Sequence, residues 1–153
     1  MVALSDCPYS PAELLLHRPP MLLLHQIVGY NASELIATVI IGRSSLFLSP
    51  QGVPSYLAIE YMAQTCGAYV GAMALDAGLP LKVGLLIGTR DCSVTIPWFV
   101  VGDELVVTAS LAFHDEGLAA FDCKVTVGQT VVAQAQLKVY QPKEILFPSD
   151  EES

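Results

Sequence analysis

The sequence predicts an α+β fold in which a curved antiparallel sheet wraps around one long central helix. Three observations carry that prediction. Only one segment, 54–76, has the length of a long helix, and it is apolar on nearly all sides, so it must be surrounded rather than laid on a surface. The flanking segments read as strands separated by turn residues, two before the helix and four or so after it. Finally, 153 residues is the length of one domain with one core. Residues 1–147 are expected to form that domain, with P-S-D-E-E-S (148–153) as a disordered acidic tail.

A short element over Pro11 to Leu16 is closed by R18-P-P20, whose prolines stop a helix and turn the chain. The apolar, branched run M21-L-L-L-H-Q-I-V-G29 predicts a first strand and E34-L-I-A-T-V-I-I41 a second, with a turn over Asn31 to Ser33. A loop, R43-S-S-L-F-L-S-P-Q-G-V53, leads into the helix. Pro54 sits near its first turn, and D76-A-G-L-P80 supplies a Gly stop followed by Pro. Strands are then expected over V83–G88, D103–F113, A119–V127 and V131–Y140, the last two joined by a hairpin at V-G-Q-T. The small residues Ala63, Gly67, Gly71 and Ala74 would let the helix backbone lie close to the sheet or to a second subunit. This element order is that of a hotdog fold.

Hydrophobic residues make up 53% of the chain and charged residues 14%, and the mean hydropathy is +0.53. A spanning helix needs about 20 predominantly apolar residues, whereas the longest run is interrupted by Glu60, Gln64, Thr65, Gly67 and Gly71. No membrane span is expected, so the excess apolar surface predicts an oligomer. The opening M-V-A-L-S-D-C-P lacks the basic and apolar regions of a secretion signal, which predicts a cytoplasmic protein. Cysteines 7, 66, 92 and 123 form no C-x-x-C pair and have no histidine at ligand spacing; no metal is expected, and they read as reduced thiols, three of them buried. A net charge of −8 opposes nucleic acid as a partner.

Two motifs carry a family resemblance. H17-R-P-P-M-L-L-L-H-Q-I-V28 resembles the HRYPFLLVDRV opening of 3-hydroxyacyl-acyl-carrier-protein dehydratases of the FabZ/FabA type, and V53-P-S-Y-L-A-I-E-Y-M-A-Q64 resembles their MPGVLxxEAxAQ. G102-D-E-L-V-V and V127-G-Q-T-V-V-A-Q-A-Q-L extend the likeness over Leu16 to Val139. The resemblance implies a hotdog dimer in which an acyl chain, carried as a phosphopantetheine thioester on an acyl carrier protein, enters a tunnel between subunits. There, a helix carboxylate and a histidine from the other subunit remove water from a 3-hydroxyacyl group. No further cofactor is implied. One departure matters: L46-F-L-S-P-Q-G-V-P54 lies over the family's HFPGxPxMPG, so Leu46 stands where the catalytic histidine is expected. In this the chain is similar to the divergent dehydratase-like subunits of aryl-polyene gene clusters. A homodimer or a heterodimer with a histidine-bearing dehydratase subunit is then expected.

Glu60 is the one acidic or basic side chain between Tyr56 and Leu75. A carboxyl in an apolar helix is disfavoured as a charge, which suits it to protonate a leaving hydroxyl, and it is expected to be largely buried at a subunit interface. Gln64, one turn on, lies on the same face and can hold the carboxyl in one rotamer. Backbone N–H groups near Ser55 are candidates to polarise the thioester carbonyl, and Gly52, Phe47 and Trp98 to line the acyl site. Packing is the competing explanation for Trp98 in P97-W-F99, and a structural hydrogen bond the competing one for Glu60. None of the three histidines replaces the missing base on sequence grounds: His17 matches a non-catalytic family position, His25 lies in the first strand, and His114 closes a strand before D-E-G. Lys82 and Arg90 can touch an acidic carrier or be merely solvated. Three classes follow: a dehydratase, a non-catalytic acyl-binding subunit, and a thioesterase in which Glu60 activates water.

Overall fold

The computed structural model describes residues 3–81 and 84–141. Lys82, the final residues of the expected domain and the tail 148–153 lie outside them. In chain order the elements are α1 (Pro11–Leu14), β1 (Gln26–Tyr30), β2 (Glu34–Ile40), β3 (Val53–Pro54), a 3-10 turn (Ser55–Leu57), α2 (Ala58–Asp76), β4 (Leu85–Val94), β5 (Trp98–Phe99), β6 (Glu104–Asp115), β7 (Leu118–Val127) and β8 (Thr130–Tyr140). Six strands form one antiparallel sheet in the order β1-β2-β6-β7-β8-β4, and β3 pairs with β5 apart from it. The sheet curves around α2, which is the hotdog arrangement.

α2 is held because its apolar sides face different strands. Met62, Cys66 and Ala72 are fully buried among Leu35, Val107, Phe121 and Leu137 of the sheet. The Tyr69 ring meets Phe121 edge-on at 5.5 Å, and Cys66 Sγ lies 3.4 Å from Cys123 Sγ on β7. These two cysteines are buried, whereas Cys7 is half-buried and Cys92 exposed, so two thiols rather than three are buried. Burial and its thiol neighbour push the Cys66 pKa well up, which keeps it neutral. At its C-terminal end α2 stops at Gly78 (φ 74°), and Asp76 accepts 2.7 Å hydrogen bonds from the hydroxyls of Tyr9 and Tyr30.

The small residues of α2 serve a neighbour that the sequence did not indicate. A Cβ at Gly71 would lie 2.4 Å from the Leu14 carbonyl oxygen, and one at Gly67 would lie 3.0 Å from the Leu15 side chain. The close approach is therefore to α1, not to the sheet. Ser10 and Glu13 form a capping box at the start of α1, which fixes the short helix in place.

The first strand begins at Gln26 rather than Met21, because the Leu23 N–H is bonded to the Gln64 side chain instead of a sheet neighbour. β4 runs on to Val94, well past the expected Gly88, through the polar stretch T89-R-D-C-S93. Among the described residues it pairs with β8 alone and so forms an edge of the sheet, and Leu85 (50%), Leu86 (44%) and Ile87 (56%) are exposed. No helix among the described residues is long and apolar enough to cross a membrane.

Candidate active site

Glu60 lies in the first turn of α2, and its carboxylate Oε2 accepts a 3.0 Å hydrogen bond from Gln64 Nε2. Gln64 is 1% exposed, and its amide is fully engaged. Nε2 also donates to the Met21 carbonyl at 2.7 Å, while Oε1 accepts from the Leu23 N–H at 2.9 Å. The two backbone bonds fix which way the amide faces, and that orientation aims a donor at Glu60. One face of the helix thus holds a carboxyl in a set position, as the spacing of four predicts.

The expected deep burial of Glu60 is not found. In the single chain its side chain is 41% exposed, as is that of His17, whose Nε2 lies 3.9 Å from Glu60 Oε2. The three polar groups share a cavity of about 230 Å³ whose remaining walls are apolar, among them Leu15, Ala63 and Gly67. Leu86 of the edge strand β4 also lines it, so the cavity lies beside the uncovered edge of the sheet. The exposure of Glu60 follows from that position.

His17 was set aside in the sequence because its motif position is not the catalytic one. Its signal lay in the fold: α1 seats against Gly71 and Gly67, and the chain leaving it passes Glu60 about two to three turns nearer the helix start. His25 and His114 are elsewhere. His25 Nδ1 accepts from the Ile40 N–H at 3.1 Å. His114 lines a second cavity, of about 350 Å³, beside Val70, Met73 and Ala74 toward the other end of α2.

Ser55, Gly52, Phe47 and Trp98 do not line the Glu60 cavity. Gly52, Ser55 and Trp98 gather instead where β3 meets β5. The Ser55 N–H donates to the Pro97 carbonyl at 3.0 Å, so the amide considered for the thioester is already engaged within the chain. Gly52 has a φ of 130° and touches Phe99 so closely that a Cβ would come within 2.4 Å of its carbonyl oxygen. Trp98 is half-buried and pairs with Pro54, and Phe99 is fully buried with its ring 6.0 Å from Tyr61, so P97-W-F99 packs the base of the helix. Leu46 packs against the core, while Phe47, at a φ of 64°, is turned out and 60% exposed. Tyr61, buried beside Phe99, has its phenol pushed up to about 12 by desolvation. Arg90 is exposed on β4. No cluster of three or more metal-ligating side chains occurs among the described residues.

The family match described as ApeP-like, ApeP dehydratase, spans residues 9–147. The chain belongs to the ApeP-like dehydratase family. Similar proteins include the 3-hydroxyacyl-[acyl-carrier-protein] dehydratase FabZ of Psychrobacter arcticus, 29% identical over 133 residues that cover 80% of this chain and 88% of that one. FabZ of Acinetobacter baylyi is 26% identical, covering 83% and 88%. Among solved structures, the dehydratase heterocomplex ApeI:P from Xenorhabdus doucetiae aligns with a TM-score of 0.83 at 25% identity, covering 94% of this chain and 95% of that one. The PaaI protein of E. coli, at a TM-score of 0.60 and 15% identity over 74% and 80%, shares the fold. This ApeP-like chain is accordingly a FabZ-like hotdog dehydratase-family protein that acts on or binds acyl thioesters, and the thioesterase alternative is not favoured.

Proposed function

We propose that this ApeP-like chain dehydrates 3-hydroxyacyl thioesters of a fatty-acid or polyene chain, with Glu60 protonating the hydroxyl that leaves, and that it works paired with a related dehydratase subunit. The observation that carries this reading is a carboxyl aimed by a buried amide into a mostly apolar cavity beside an unpaired sheet edge. An elimination needs such a proton donor at the β-oxygen, because hydroxide is a poor leaving group. A second subunit laid against β4 would cover Leu85, Leu86 and Ile87 and remove Glu60 from water.

The heterocomplex described for ApeI:P supports a related, non-identical subunit as that partner. The substrate would arrive on an acyl carrier protein, the carrier named in the activity of the FabZ relatives; a phosphopantetheine arm and a cytoplasmic setting belong to the same proposal. In the pair, the Phe47, Gly52, Ser55 and Trp98 region would approach the partner's half of the tunnel rather than this chain's own Glu60.

The test is product analysis on a 3-hydroxyacyl pantetheine thioester, with the chain alone and with a related subunit bearing H-F-P-G, each also as Glu60→Gln. Enoyl thioester formation lost in Glu60→Gln is the expected result. Free thiol would mean hydrolysis instead. Mixed activity indifferent to Glu60→Gln would make this chain a scaffold.

A further inference from the structure

We propose that His17 is the base that takes the α-proton, so that one chain supplies both the acid and the base of the dehydration. This rests on the dehydratase reading above and adds to it the group that Leu46 fails to provide.

The geometry is specific. His17 Nε2 faces Glu60 Oε2 at 3.9 Å, and both side chains line the same cavity. That separation is beyond a direct hydrogen bond, so the ring nitrogen is not spent on the carboxyl. It also suits two groups that must reach the hydrogen of one carbon and the hydroxyl of the next. His25 and His114 have no such position: the first gives its Nδ1 lone pair to the Ile40 amide, and the second lies beside the later turns of α2.

The backbone at His17 is held from both sides. Arg18 Nη1 donates to the His17 carbonyl at 2.7 Å and to the Leu15 carbonyl at 2.9 Å, tying the end of α1 to the loop. Downstream, the Gln64 amide binds the backbone of Met21 and Leu23. The same amide orients Glu60, so one buried side chain registers the base-bearing loop against the acid. A mere surface histidine would not need that bracing.

In the reaction the α C–H bond breaks and its proton goes to His17 Nε2, while its electron pair forms the C=C bond. The β C–O bond breaks, and the departing oxygen takes the proton of the Glu60 carboxyl and leaves as water. The enzyme is left with an imidazolium and a carboxylate side by side. Transfer of one proton from His17 to Glu60, bridged by a water, restores the starting state.

The test uses the full-length chain with a 3-hydroxyacyl pantetheine thioester, following enoyl product and exchange of the α-hydrogen in D2O. His17→Gln should fold as the parent does by circular dichroism and thermal unfolding. It should lower kcat about 10²–10⁴-fold with KM within about threefold, and α-exchange should fall in parallel. His17→Gly should be equally slow and recover turnover when free imidazole is added, which a structural role would not produce. A His17→Gln enzyme within twofold of the parent overturns the proposal. Where the lone parent chain is silent the same variants are read in the pair, and there activity that needs Glu60 but survives His17→Gln overturns the proposal too. In that outcome the dehydratase reading stands without His17. Silence in both settings removes the dehydratase reading itself.

Discussion

Replacing Gln64 by Leu tests how much of the site rests on one buried amide. The change keeps the volume of the side chain and removes three hydrogen bonds: to the Leu23 N–H, the Met21 carbonyl and Glu60. They are not equivalent. Met21 is 50% exposed, so its carbonyl can turn to water, and the Glu60 side chain, 41% exposed, can do the same. Leu23 is 8% exposed, and its N–H would be left buried without an acceptor. An orphaned buried donor costs about 1–3 kcal/mol, and each of the other two bonds, whose partners can turn to water, only about 0.5 kcal/mol, for a total of about 3 kcal/mol. For a chain of this size that lowers Tm by about 6–12 °C. Chemical denaturation should give the same loss with an unchanged m-value. Gln64→Glu is the informative companion. It retains an acceptor for Leu23 but sets a second carboxyl beside Glu60, so its deficit should shrink as the pH is lowered and the pair takes up a proton. A loss below about 1 kcal/mol in Gln64→Leu would refute the claim that the amide braces the loop.

Other perturbations follow from the same contacts. Gly71→Ala drives a Cβ against the Leu14 carbonyl, and overpacking of about 1–3 kcal/mol should outweigh the helix-propensity gain of about 1 kcal/mol; hydrogen exchange should rise over residues 10–24. The Asp76 carboxylate, helped by burial, raises the Tyr30 phenol from 10.0 to about 12. Its contribution to stability is therefore complete below pH 10 and lost as pH rises through about 12. An alkaline absorbance titration should show that midpoint fall toward its ordinary value in Asp76→Asn. Ile87→Lys on the exposed face of β4 should weaken subunit association by tenfold or more, read by sedimentation at micromolar protein, with the fold of the single chain intact.

The long helix and the order of strands were legible because each rests on a local signal. Pro54 opens the helix, Gly78 closes it, and the apolar content between them leaves no face for water. Glu60 and Gln64 were legible for the same reason, since a spacing of four on a helix is a contact. What could not be read was placement by distant partners. The Met21–His25 run has strand composition, yet Gln64, some forty positions away, takes its backbone groups. Gly67 and Gly71 announce a close approach without saying what approaches, and it proved to be α1. His17 reaches Glu60 through that docking, which no periodicity encodes. β4 reads too short for another reason: none of its residues is buried in the single chain, and its second half, T89-R-D-C-S93, lacks the apolar alternation by which strands are recognised.

That edge also has a cost for the chain before assembly. A ten-residue strand with one side unpaired among the described residues and three large aliphatic side chains in water is a template on which any extended segment can add. Two interruptions of its register, between Leu86 and Gly88 and between Arg90 and Ser93, twist the strand away from a flat ladder, and Arg90 and Asp91 place charge at the second. These features slow indiscriminate addition without covering Leu85 to Ile87. With the proposed partner at β4, a cell that makes this chain faster than that partner should accumulate it as aggregate, so its yield of soluble protein would be governed by the ratio of the two subunits rather than by its own folding.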